Sequence, residues 1–336
     1  MPAQPRFEHI ALIKLDHAGD VLWTTPTVAT LRANFPAARI SVCCTDYTSP
    51  VWQNNPAVDD IIAISPPDRR WPHFLPRPDL ALCLDTRTPA VRLTYASGAA
   101  VRSGYYYFPR GLSVLWPLLL LTDPVLHPAS RGDFAHEVEV NRRLLERLGC
   151  QTNSTASTRL FLTEQELQAA RQFLQQQPGH VNRIAVHLPR KWTDGGWPPE
   201  HVARLINLLA ANFPEYSVLL SCGPGEEPLL EAVTPLLSVP ALTITGKSFR
   251  DWAAVLKQCS LLVCRDCGPV HVAAALDVPV VSIFEESKRK EHMRWEPWLV
   301  PHRNVFRPDL FSNAAAESFY QYSLNSVRAL LYNAKK

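Results

Sequence analysis

The chain of 336 residues lacks long apolar runs, is poor in glycine and carries little net charge. Its most apolar stretch, Gly111 to Leu121, falls short of the roughly 20 residues that cross a bilayer, and Pro117 interrupts it. The opening residues, Met1-Pro-Ala-Gln-Pro-Arg-Phe-Glu-His9, contain no apolar segment of a secretory signal, so a soluble, cytoplasmic chain is expected. Glycine numbers 13 and proline 30. Against usual shares of about 7% and about 5%, this excludes a Gly-rich flexible architecture and favours stiff loops. A net charge of +3 excludes a nucleic-acid partner held by bulk positive charge. Disorder is excluded by the hydrophobic share of 46% against 19% charged. Eight cysteines without a signal read as reduced thiols. Cys264-Arg-Asp-Cys267 has C-x-x-C spacing but no second ligand pair, so no metal site is expected and the two read as a strand and a loop cysteine.

What is present is alternation. His9–Leu15 reads as a strand, Asp16–Asp20 as a loop, and Thr27–Asn34 as a helix behind Pro26. Strands follow at 39–44, 79–84 and 101–104, with a helix over 89–96. A helix over 136–148 ends at Gly149. Residues 150–160 are polar and read as a linker. Thr163-Glu-Gln-Glu166 is a capping box that opens a helix to about Gln177. A second series follows. Its strands are at 183–187, 216–220, 242–245, 261–264 and 280–284, and its helices at 200–212, 226–234, 249–258, 271–276 and 323–333. Two such series predict an α/β protein of two doubly wound, Rossmann-like domains, 1–160 and 161–336, with the last helix a candidate to pack back on the first. Ligands of such sheets bind beyond the carboxyl ends of the strands, which points to the cleft between the domains.

Five strand-to-helix segments could carry chemistry. Asp16-His17-Ala-Gly-Asp20 follows the first strand without a G-x-G-x-x-G, so no dinucleotide fingerprint is present. Asp20 suits a general base, and equally a helix N-cap. Arg265-Asp266-Cys267-Gly268-Pro-Val-His271 runs from a strand into a small-residue turn and a helix. Helix-start N–H groups and His271 there suit a phosphate, or simply a capped helix with a buried histidine. Arg190-Lys191 lie in a loop after a strand and suit a phosphate clamp or an ordinary basic surface. Glu226-Glu227, after Gly223-Pro-Gly225, fit a helix N-terminus or a ribose. The segment 285–298, with its cations and two tryptophans, suits an anionic acceptor or a solvated face.

Together these segments resemble glycosyltransferase family 9, the heptosyltransferases of lipopolysaccharide core assembly. The matching pieces are Gly19-Asp20-Val-Leu-Trp-Thr24-Thr25-Pro26, Trp197-Pro198, Gly223-Pro224-Gly225, Leu242 to Lys247, and Asp266 to Ala275 with Cys267 at a hydroxyl position. The resemblance implies the GT-B fold, with acceptor on the first domain and nucleotide-sugar donor on the second. It implies inverting transfer from ADP-heptose, without a metal or other cofactor, to a lipopolysaccharide-core or related glycan. Asp20 would be the general base, with His17 and Thr24 on the acceptor. Arg190, Lys191, Glu226, Asp266, Cys267, Gly268 and His271 would hold the donor. With a lipid-linked acceptor, peripheral membrane contact follows, for which Tyr105 to Arg110 and the following leucines are candidates.

The sequence departs from the family at Gly195, where a lysine commonly stands two residues before Trp-Pro; Arg190 or Lys191 is the expected substitute. His187-Leu188-Pro189 replaces His-Pro-Gly, and Glu285-Glu286 replaces a Gly-Pro turn. A sugar-nucleotide epimerase of the same fold and a non-catalytic sugar-nucleotide binder stay open at this level.

Overall fold

The computed structural model describes residues 7–65, 77–108 and 111–333. The chain divides into two compact units, 1–161 and 162–336.

In the first unit the elements run β1 (His9–Ile13), α1 (Ala18–Leu22), α2 (Thr25–Asn34), β2 (Arg39–Thr45), β3 (Asp60–Ile64), β4 (Leu80–Cys83), α3 (Thr88–Ala96), β5 (Val101–Tyr106), α4 (Leu115–Leu120), β6 (Asp123–Leu126) and α5 (Glu137–Arg147). The sheet is wholly parallel in the order β3-β2-β1-β4-β5-β6. β1 lies at its centre, Ile10 opposite Ile40 on one side and Leu80 on the other. All five of its residues are buried, as a central parallel strand covered on both faces requires. Adjacent Cys43 and Cys44 on β2 are both buried for the same reason.

The second unit runs α6 (Glu164–Gln175), β7 (Arg183–His187), α7 (Pro199–Asn212), β8 (Ser217–Ser221), α8 (Glu227–Val233), β9 (Leu242–Ile244), α9 (Phe249–Lys257), β10 (Leu261–Arg265), α10 (Gly268–Ala275), β11 (Val280–Glu285), β12 (His302–Arg307) and α11 (Asn313–Asn333). Its parallel sheet, β12-β11-β10-β7-β8-β9, repeats the strand order of the first. The capping box at Thr163 and Glu166 forms as expected and starts α6. Trp192, Trp197, Phe213 and Tyr320 anchor a core between β7, β8, α7 and α11. α11 packs on β12, β11 and α7 of its own unit. Among the described residues no helix is long and apolar enough to cross a membrane.

Three strands escape the sequence reading: β3, β6 and β12, each at a sheet edge. Two helices, α1 and α4, are absent from that reading, and Gly19 and Asp20 lie inside α1 rather than in a loop. Two others start earlier than expected, α10 at Gly268 and α11 at Asn313.

Candidate active site

In each sheet the strand order reverses beside the first strand: between β1 and β4 in one unit, between β7 and β10 in the other. The carboxyl ends of such strand pairs are where doubly wound sheets bind ligands. Most of the predicted site residues lie on the turns leaving these strands.

Beyond β1 and β4 sits a charged cluster. Lys14, buried, donates to Asp16 Oδ2 at 2.9 Å and to the Leu84 carbonyl at 2.8 Å. Arg87 reaches Asp85 Oδ2 at 2.6 Å and Asp16 Oδ1 at 2.7 Å. Asp85 is 1% exposed. Burial pushes its carboxyl up, but the Arg87 hydrogen bonds and the Lys14 charge outweigh that and hold it below its usual range. Burial likewise opposes the Lys14 charge, and Asp16, Asp20 and Asp85 together raise its pKa. Asp20, in the first turn of α1, is different. It is half-buried, and no described residue gives its carboxylate a hydrogen bond. Burial raises its pKa; Lys14 opposes this, and the Asp16 charge adds to it. The cluster thus holds two tethered carboxylates and one untethered carboxylate of increased basicity.

His17 is exposed at the N-cap of α1. Thr24 is fully buried, and its hydroxyl donates to the Val21 carbonyl at 2.7 Å, so the fold itself uses that group. Pro109 and Arg110 lie outside the described residues. Tyr105 is buried, its hydroxyl on the Val140 carbonyl at 2.8 Å, while Tyr107 stacks on His127 at 4.2 Å.

In the second unit, Cys267 caps α10 without a side-chain hydrogen bond. His271 is buried in the same turn. Burial raises the Asp266 carboxyl, with Lys191 and Arg265 opposing. Lys191 Nζ donates to the Asp266 carbonyl at 2.6 Å, which puts an exposed ammonium at the head of the α10 turn. The side chain of Arg190 has no described partner; its backbone N–H donates to Glu226 Oε1 at 3.0 Å. Glu226 Oε2 accepts from the Gly223 N–H at 3.2 Å, so this carboxylate ties two loops together. Gly195 has φ +69°, and a Cβ there would meet the Asp309 carbonyl oxygen at 1.7 Å. A lysine at that position is therefore incompatible with this loop. The Cys264 and Cys267 sulfurs lie 3.3 Å apart as free thiols.

Sequence reasoning missed the supports. Fully buried Arg307 donates to the Trp192 carbonyl at 2.6 Å and the Asp194 carbonyl at 3.1 Å, fixing the loop that carries Lys191. Arg265, also fully buried, pairs with Glu285. Burial lowers Arg265 to about 10. Burial and the Arg265 charge lower Arg307 to about 9. His187 is neutral, pushed down to about 3 by burial, its Nδ1 2.9 Å from Ser221 Oγ. In the first unit the missed residues are Lys14, Asp85 and Arg87; a charge just past a strand beside β1 was the available signal.

A scan against protein-family models matches residues 77–309 to glycosyltransferase family 9 (heptosyltransferase). The chain belongs to this family and is a glycosyltransferase. It is 24% identical over 300 residues to lipopolysaccharide heptosyltransferase 3 of Escherichia coli strain K12, covering 83% of this chain and 82% of that one. Its fold matches a glycosyl transferase family 9 protein from Veillonella parvula, with TM-score 0.82 and 18% identity over 98% of this chain and 99% of that one. It also matches E. coli ADP-heptose lps heptosyltransferase II, with TM-score 0.74 and 18% identity over 98% and 100%. The two Rossmann-like units are those of the GT-B architecture.

Proposed function

We propose that the protein transfers a heptose from ADP-heptose to a lipopolysaccharide-core or related glycan acceptor, with inversion at the anomeric carbon. The relatives' names support the donor and acceptor class: one is a lipopolysaccharide heptosyltransferase, another carries ADP-heptose in its name. The observation that carries the reading is Asp20, an untethered carboxylate of raised basicity past β1, in a cluster whose other carboxylates are bound.

Asp20 takes the proton of the attacking acceptor hydroxyl as the new glycosidic bond forms. The sugar–phosphate bond breaks on the opposite side of the anomeric carbon, and ADP leaves with the electron pair. The α10 N-terminus and Lys191 stabilise the charge growing on the departing diphosphate. Residues 266–268 hold that diphosphate, and His271 donates to the same anion. Charge neutralisation is assigned to these protein groups, with no metal or other cofactor invoked.

The test pairs turnover with donor binding. Asp20→Asn is expected to lower kcat by about 10²–10⁴, the usual worth of a general base. ADP should still raise its melting temperature as it does that of the wild type, and more than UDP, GDP or dTDP do. Wild-type turnover in the variant removes Asp20 from the mechanism; preference for another nucleotide removes the donor assignment.

A further inference from the structure

Cys264 and Cys267, with their sulfurs 3.3 Å apart, are the one hydrogen-bonded sulfur pair among the described residues. The fold builds this contact from two different supports. Cys264 is 0% exposed and stands on β10 between His187 of β7 and Ser282 of β11, so ladders on both sides fix its backbone. Cys267 lies just past the end of that strand, half-buried and extended, as the N-cap of α10. The turn between them brings the second thiol back onto the first. An S–S bond of roughly 2.0 Å needs the sulfurs to close by about 1.3 Å, a distance that side-chain rotation and a small movement of the turn can supply.

The two thiols differ in reach. Burial, and then the Cys267 sulfur beside it, push the Cys264 thiol well above its ordinary value. Cys264 therefore stays protonated and shielded, and Cys267 is the thiol that an outside reagent meets first. Of the other cysteines, Cys83 and Cys259 are buried on the backbone carbonyls of Asp85 and Val255. Cys222, the other half-buried thiol, has no hydrogen-bonded sulfur partner.

We propose that Cys267 and Cys264 form a reversible disulfide, with a hydroperoxide as oxidant and Cys267 as the thiol that reacts first. With hydrogen peroxide, the Cys267 sulfur attacks one oxygen, the O–O bond breaks, and a sulfenic acid and one water result. The Cys264 sulfur then attacks the Cys267 sulfur. The S–O bond breaks, and the hydroxyl leaves with the Cys264 proton as a second water. Two thiols are oxidised and one peroxide is reduced; a dithiol reductant reverses the change. The bond draws Cys267 toward β10. The Cys267 carbonyl accepts the Val270 N–H at 3.1 Å in the first turn of α10, and the neighbouring Asp266 carbonyl accepts from Lys191 Nζ at 2.6 Å. Oxidation thus shifts the turn assigned to the diphosphate and weakens donor binding, a consequence that rests on the proposed transfer function.

The test treats the reduced full chain with hydrogen peroxide, blocks the remaining thiols with iodoacetamide after denaturation, and digests it with trypsin without reduction. Cleavage after Lys257, Arg265 and Lys288 puts Cys264 and Cys267 on separate peptides, 258–265 and 266–288. These are expected joined in the treated wild type and apart after dithiothreitol. Because 258–265 also contains Cys259, Cys259→Ala should keep the link and Cys264→Ala should abolish it, with Cys264→Ser as a second variant and melting temperature confirming the fold. The linked protein should lose most of the rise in melting temperature that ADP gives the reduced one, and dithiothreitol should restore it. Cys264→Ala has no resolving thiol, so its Cys267 should proceed to the sulfinic acid, which dithiothreitol does not reverse. The proposal is overturned if the treated wild type keeps both thiols open to iodoacetamide, if the link survives loss of Cys264, or if the linked protein responds to ADP as the reduced one does. If the reduced chain ignores ADP, the donor reading falls, and the joined peptides still decide for or against the disulfide.

Discussion

Asp16 and Asp20 are four residues apart, yet their surroundings give them opposite roles. Asp16 is held by Lys14 and Arg87, whereas Asp20 has no hydrogen-bonding partner among the described residues and is made more basic by burial and by the Asp16 charge. The acid limb of kcat/KM reports the base of the free enzyme. Asp16→Asn removes one negative charge and frees two cations, so both changes favour ionised Asp20. That limb should move to lower pH, measured alongside the melting temperature to confirm folding. An unmoved or upward-shifted limb would show that Asp16 does not tune the base. In the sequence Asp20 stood out because it follows a strand and a glycine. The cluster's other members, Asp85 and Arg87, did not, being some 65 residues further along and brought beside it by the pairing of β1 with β4.

Element by element, the buried strands were legible because central parallel strands are short continuous apolar runs. The edges were not. β3 opens with Asp60, β6 contains Pro124, and β12 reads His-Arg-Asn-Val-Phe-Arg. Strands with one partner tolerate proline and charge and so lose the apolar signal. The start of α10 was hidden because Cys267 is an unusual cap and Pro269 resembles a breaker, although proline suits a first helical turn. The capping box of α6 was readable to the residue, and it does more than begin a helix. Glu166 also pairs with Arg250 of α9, at 2.5 and 2.8 Å. Those hydrogen bonds lead the causes that lower its pKa from 4.5 to about 2. A lowered folded-state pKa gives stability that is present above the unfolded value and is lost as pH falls. Glu166→Gln should therefore cost about 1–2 kcal/mol at neutral pH. It should also flatten the loss of stability between pH 4.5 and about 2, as followed by chemical denaturation across that range. A variant as acid-sensitive as the wild type would show that the pair contributes little.

At the scale of the whole molecule, the same strand order is used twice, each time placing a candidate site turn at the point where the order reverses. One unit carries the untethered carboxylate; the other carries the α10 turn and Lys191. Division of labour between units predicts a divided response to ligand. ADP alone should slow amide hydrogen exchange in the turns after β7, β8 and β10, while exchange around α1 stays as in the free protein. Protection centred on α1 would reverse the assignment of donor and acceptor units.

Gly195 carries a consequence for how such a molecule can change over generations. Its backbone is left-handed, and the space a side chain would occupy is filled by the Asp309 carbonyl. The loop therefore supplies its cation from Lys191 or from position 195, never from both by a single replacement. Installing lysine at 195 first would damage the loop before any new charge could act, and losing Lys191 first would remove the charge already there. The two solutions are separate peaks, and crossing from one to the other requires the 309 strap to move in the same step.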